Sequence, residues 1–386
     1  MRAAEYKNLV KKYFLWTACL CLLVSAVFIA TFFILDPMQF FHRAERTAGP
    51  LSKDMRAQAA GILNTFDIDS IILGTSMLEN TSADEASAKL GGKFFNISLS
   101  GGTHAERAPI LRKALQKGMK HVIYSLDHYY IQCPARDSRM PAYLYDNSSF
   151  NDLKYYASLR TIKKLFQPQR GLTRRDHDRP NAWFSDPGHA DRFGGVAQWV
   201  KHKDNWQVRD FLKGGLQKAA DSFARARRVA VHDREKEERA KLYMEKHLLE
   251  IIRDAPDTNF YLLFPPYSRF FYADMRRNTP EDFFLHQEVI RHLVERARDR
   301  ENIHIFGFED MDFPDDIANY KDITHYHQRF NSMFLDAIAA GEHELTPENV
   351  EDYLKRCEEK AWNYDIPALN AEVQRLLKAT EAKKKD

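Results

Sequence analysis

Between Phe14 and Leu35 the chain runs for 22 consecutive residues without a charged side chain. As an α-helix such a run covers the roughly 30 Å of hydrocarbon in a bilayer. A secretory signal peptide has a shorter apolar core, about 7–15 residues, followed by a small-x-small cleavage site. Leu35-Asp-Pro-Met-Gln-Phe-Phe41 offers no such site, so the run reads as an uncleaved anchor. Arg2, Lys7, Lys11 and Lys12 precede it and Arg43 and Arg46 follow, with Tyr13 and Trp16 near the first interface. This bias predicts a cytoplasmic N-terminus (1–13), a transmembrane anchor (14–35) and a main domain on the periplasmic or extracellular side of the cytoplasmic membrane.

The remainder is a globular sequence. At 386 residues, 44% hydrophobic and 29% charged, the chain is long and apolar enough to bury a full core. A net charge of +3 gives no reason to expect a nucleic-acid partner, because the Arg and Lys clusters are interleaved with Asp and Glu. Of four cysteines, Cys19 and Cys21 fall inside the anchor, which leaves Cys133 and Cys357 for at most one disulfide.

Residues 36–69 read as a connector, helical from Lys53 to Asn64. A repeating pattern begins at Ser70–Leu73, a short apolar strand. Ser82-Ala-Asp-Glu85 is a capping box that opens a helix ending at Gly91. Lys93–Ser98 is a second strand, Thr103-His-Ala-Glu106 caps a helix to Gly118, and Lys120–Leu126 is a third strand. The pattern pauses from 128 to 257, read as a largely helical insertion with a charged helical run from Gly215 to Arg253. It resumes with a strand at Asn259–Phe264, a helix at Glu281–Arg300, a strand at Ile303–Phe308 and a helix at Gln328–Ala340. Residues 341–386 read as C-terminal helices and a tail. Strands alternating with helices predict an α/β fold: a three-layer α/β/α sandwich on a five-stranded parallel sheet of flavodoxin-like type.

In such sheets ligands bind beyond the carboxyl ends of the strands. Gly74-Thr-Ser76 stands there after the first strand, although Gly, Thr and Ser are also ordinary turn residues. Asp322-Ile-Thr-His325 follows the fifth strand. An Asp three residues before a His can fold back to hold Nδ1–H, which leaves Nε2 to take a proton from a serine. A second Asp-x-x-His, Asp186/His189, lies in the insertion and is the weaker candidate. Asn96-Ile-Ser-Leu-Ser-Gly101-Gly102 follows the second strand and opens a helix, where backbone N–H groups and the helix's positive end suit an oxyanion, together with the N–H of Met77. His325-Tyr-His327 has the spacing of a metal pair, but no Asp, His or Cys cluster joins it in order, so no metal and no cofactor is expected. The aromatic run Phe264 to Tyr272, with Tyr267 in it, suits either stacking on a sugar ring or lid packing.

These three pieces, in this order, resemble the SGNH (GDSL-like) hydrolase superfamily over residues 70–127 and 258–340. Gly74-Thr-Ser76 matches its nucleophile block, Gly101 or Gly102 its second block, and Asp322 and His325 its last. The resemblance implies a Ser76/His325/Asp322 triad, oxyanion donors at Met77, Gly101 and Gly102, and, in a membrane-anchored branch similar to alginate O-acetylation and D-alanyl-teichoic-acid transfer proteins, an esterase or O-acyltransferase. Its substrate would be an acylated cell-surface polysaccharide, and a multi-span membrane acyltransferase its partner. One departure stands out. The third block's Gly-x-Asn-Asp reads Ser125-Leu-Asp127-His128-Tyr129 here, without the Asn that donates to the oxyanion. His128 and Tyr129 are within sequence reach as replacements and, with Tyr267, are candidate substrate contacts. The same departure motivates an alternative: an inactive envelope protein that keeps the fold to bind a glycan or a membrane acyltransferase.

Overall fold

The computed structural model describes residues 3–43, 51–52, 54–132, 140–158 and 187–382. Contacts divide the chain into two compact units, 1–66 with 140–173, and 67–139 with 174–386. The expected insertion is therefore not one piece. Its residues 140–158 belong with the N-terminal segment and 187–257 with the sheet. Arg46, Cys133, Asp186 and the lysines of the tail lie outside the described residues.

In the first unit, α1 spans Ala3–Leu35. Its apolar stretch Tyr6–Leu35 is long and apolar enough to cross a membrane, and only 6% of its most apolar window is buried by protein. Phe14 and Trp16 are about three-quarters exposed, a cost in water that a bilayer removes. The helix stops at Asp36, which turns into the left-handed region (φ 32°). Its buried carboxylate accepts the N–H groups of Phe40 (2.9 Å), Phe41 (2.8 Å) and His42 (3.0 Å) and the Tyr156 hydroxyl (2.9 Å). Four donors offset the desolvation that an unpaired buried carboxylate would suffer. Tyr156 also stacks on Phe32 with ring centroids 5.1 Å apart. This pairing, invisible in sequence spacing, is why 140–158 returns to the N-terminal unit. Helix α2, Met55–Thr65, places Gly61 against the same corner. A methyl there would sit 1.9 Å from the Met38 carbonyl oxygen.

The second unit contains the sheet: β1 (Ser70–Leu73), β2 (Phe94–Asn96), β3 (His121–Ser125), β4 (Asn259–Phe264) and β5 (Ile303–Gly307). All pairings are parallel and the order is β2-β1-β3-β4-β5. Strands covered on both faces read as continuous apolar runs, and β1 is buried along its whole length. Helices α3 (Ala83–Leu90) and α4 (His104–Gln116) connect the first three strands. Both begin as the capping residues predict: Ser82 Oγ accepts from Glu85 N–H, and Thr103 with Glu106 forms a reciprocal box. After β4 come α5 (Arg269–Asn278) and α6 (Pro280–Ala297), and after β5 come α7 (Arg329–Ala340), α8 (Val350–Asn363) and α9 (Ile366–Ala382).

The aromatic run from Phe264 to Tyr272 ends in the first turn of helix α5, where Phe270 and Tyr272 are buried. One expectation changes. The charged run 215–253 breaks between Phe223 and Arg234, where Asp233 starts a new helix by accepting from Lys236 N–H. Ile72, Ile123, Leu263 and Phe306 from four strands join Trp199, Phe270 and Phe334 in one buried cluster.

Candidate active site

β1 delivers the chain into a tight turn pinned from both sides. Gly74 N–H donates to Ser98 Oγ (3.0 Å) and Thr75 N–H to Ser125 Oγ (3.2 Å), so side chains from the two flanking strands hold the turn. Leu99 N–H returns a bond to Gly74 O (2.9 Å). Gly74 cannot carry a side chain without moving the turn, because a methyl would stand 2.6 Å from Leu78 Cβ. The Asn96 amide donates to Leu78 O (2.7 Å) and Thr81 O (2.9 Å), fixing the exit. The side chain this turn presents, half-buried, is Ser76.

His325 arrives from the loop between β5 and α7. Ser76 Oγ and His325 Nε2 are 2.9 Å apart. Both carboxylate oxygens of Asp322 lie 2.9 Å from His325 Nδ1, and Oδ1 also accepts from the N–H groups of Thr324 and His325, each at 2.9 Å. Burial pushes the Asp322 carboxyl up, but the adjacent imidazole and these hydrogen bonds outweigh it and hold the group well below the usual carboxylate range. An ionised Asp322 keeps the proton on Nδ1 and leaves Nε2 as the acceptor facing the serine. The loop itself is braced: Lys321 N–H donates to His325 O (3.0 Å), Ser268 Oγ to Ile323 O (2.7 Å) and Tyr326 OH to Met77 O (2.9 Å). The last bond ties the histidine loop directly to the serine turn.

Beneath the turn lies a buried polar network absent from the sequence reading. Asp127 accepts from Thr75 Oγ1 (2.8 Å) and from Ser125 Oγ, and Arg107 stands 3.8 Å away with neither side chain more than 1% exposed. Arg107 donates to Ser125 O (2.7 Å) and lies over the Tyr124 ring. His104 bonds Tyr124 OH and Asp127 O, and burial next to Arg107 keeps it neutral, far below the ordinary histidine value. Glu79 was also missed. It is half-buried beside His325 and Lys321, and burial raises its carboxyl more than these neighbours and the bonds from Ser100 lower it.

The remaining predicted residues separate. Met77 N–H already donates to Thr75 Oγ1 (3.2 Å) and Gly102 N–H to Leu99 O (2.9 Å), so in this arrangement neither is an uncommitted oxyanion donor. Gly101 adopts φ +60°, and a methyl on it would meet the Tyr129 hydroxyl at 3.6 Å, which puts Tyr129 at the second glycine turn. His128 is not at that turn. Its ring nitrogens are buried beside His286 and Glu309, with Tyr267 packed at 5.2 Å between ring centroids. His327 faces Phe193, and burial with Arg329 nearby lowers it to about 4. His189 sits in a short helix, Pro187–Ala190, while its partner Asp186 lies outside the described residues.

No protein-family model, no curated protein and no solved structure matches the chain.

Proposed function

We propose that this protein is a membrane-anchored serine esterase or O-acyltransferase of the SGNH kind, acting on acylated cell-surface polysaccharide or glycoconjugate. The observation that carries the reading is the 2.9 Å approach of Ser76 Oγ to His325 Nε2, with Asp322 on the far side of the same ring. Ser76 Oγ attacks an ester carbonyl while His325 takes its proton. The same proton goes to the departing alcohol, leaving an acyl group on Ser76. Water or a sugar hydroxyl then attacks, His325 accepts that proton, and its return to Ser76 Oγ frees the acid or the new ester. The strand order 2-1-3-4-5 is that of flavodoxin-like three-layer sandwiches and supports the same assignment. The apolar helix α1 supports single-span anchoring in a membrane. The charges flanking it favour a cytoplasmic N-terminus, and the resemblance brings a multi-span acyltransferase as partner.

A second reading has its own support. Two expected oxyanion donors are committed elsewhere, and Asp127, where the superfamily's Asn donor falls, is a buried acceptor. Each unused donor costs about 10²–10³ in rate. A protein that binds a glycan without turning it over fits those facts.

Hydrolysis of p-nitrophenyl acetate by detergent-solubilised full-length protein separates the two. Turnover that falls to background in a folded Ser76→Ala variant supports the enzyme. Turnover unchanged in that variant contradicts it, and absence of turnover in the wild type favours the binding protein.

A further inference from the structure

His128, at the end of β3, His286, on α6, and Glu309, just past β5, come from three separate elements and place one ligand atom each within 4.8 Å of one another. His286 and Glu309 side chains are 3% exposed and that of His128 is 10% exposed. His286 Nε2 lies 2.9 Å from both Glu309 carboxylate oxygens, and the two histidine rings stand 4.0 Å apart. The odd member is His128. Both of its ring nitrogens are buried without a hydrogen-bond partner, and Nε2 is 3.9 Å from Glu309 Oε1, too far for a hydrogen bond. A buried imidazole with neither nitrogen bonded has lost its water without compensation, so it needs a physical reason.

We propose that His128, His286 and Glu309 bind one divalent transition-metal ion. Two donors each about 2.0–2.1 Å from a tetrahedral ion lie about 3.3–3.4 Å apart, so spacings of 2.9–4.8 Å close on an ion with side-chain shifts of an ångström or less. Two imidazoles and one carboxylate favour zinc or a neighbouring first-row ion over calcium or magnesium, which prefer oxygen ligands. The surroundings hold the ligands as metal sites do. Tyr272 OH donates to Glu309 Oε1 (2.7 Å), Tyr353 OH to Oε2 (3.2 Å), and Tyr130 OH bonds His286 Nδ1, which frees Nε2 for the ion. With the ion on Nε2 the ring proton of His286 would sit on Nδ1 and donate to the Tyr130 hydroxyl. His128 follows Asp127 directly, so the ion fastens α6 and the β5 end to the segment that braces the Ser76 turn. The site does not depend on Ser76 being a nucleophile.

The test uses untagged full-length protein, stripped with chelator, incubated with a slight excess of Zn²⁺ or Co²⁺ and desalted. Elemental analysis is expected to find one equivalent, and the Co²⁺ form to show visible ligand-field absorption. His128→Phe removes a ligand that makes no hydrogen bond and leaves the His286–Glu309 pair intact, so it is expected to fold and to bind at least about 100-fold more weakly. Glu309→Gln is expected to lose the same absorption. Wild-type protein that retains no metal overturns the proposal, as does a His128→Phe variant that retains metal with wild-type affinity and spectrum. Ser76→Ala is expected to bind metal normally, whatever its effect on ester turnover.

Discussion

At Asp322 burial and electrostatics pull in opposite directions, and the outcome decides how His325 is oriented. Asp322→Asn leaves the fold of the loop but offers Nδ1 a choice of tautomers; where a triad operates, that change lowers kcat about 10⁴-fold. Esterase rates of the purified variant check it, with circular dichroism showing the fold intact. Glu79 gives a prediction of opposite sign. Its folded-state carboxyl is raised, so its contribution is full below the unfolded value of about 4.3 and is lost as pH rises towards the folded value. Glu79→Gln removes that cost, so its melting temperature is expected to exceed the wild type's at pH 8 and not at pH 4. Asp127→Ala strands the Arg107 guanidinium in the core and is expected to cost about 3–5 kcal/mol in urea unfolding, against a fraction of that for an exposed ion pair.

At the scale of elements, the sequence located what depends on near neighbours. Ser70–Leu73 and Asn259–Phe264 are strands at the predicted bounds, because both are apolar runs closed by Gly or Pro. The Thr103–Glu106 box started its helix, and Thr103→Ala is expected to cost about 1 kcal/mol there. The Asp322–His325 contact was legible for the same reason, since one turn of chain makes it. Ser76 meeting His325 rested on a topological argument, that both follow strands of one sheet, and the sheet order allowed it. What stayed hidden depends on partners far apart. Tyr156 completing the Asp36 cap, Arg107 under Asp127, and Glu309 reaching His286 leave no mark in spacing or periodicity. At Gly102 the limit is of another kind: a glycine pair signals a tight turn, and the turn itself uses the Gly102 N–H.

For the whole molecule, the buried histidines make acid the natural stress. His104 is held neutral in the fold, so below pH 6.5 the unfolded chain binds a proton that the folded chain refuses. Stability therefore falls by about 1.4 kcal/mol per pH unit from this group until the folded His104 titrates. Urea titrations at pH 7, 6 and 5 are expected to show that slope, and His104→Gln to flatten it by one proton. Deleting residues 3–25 removes most of the exposed apolar helix while sparing Phe32 and Asp36, and is expected to move the protein from the membrane to the soluble fraction. The most direct test of the central claim is covalent. Full-length protein treated with a fluorophosphonate and mapped by peptide mass spectrometry is predicted to carry one adduct, on Ser76, lost in His325→Ala. An unlabelled Ser76 in folded protein, or labelling that persists without His325, contradicts the account.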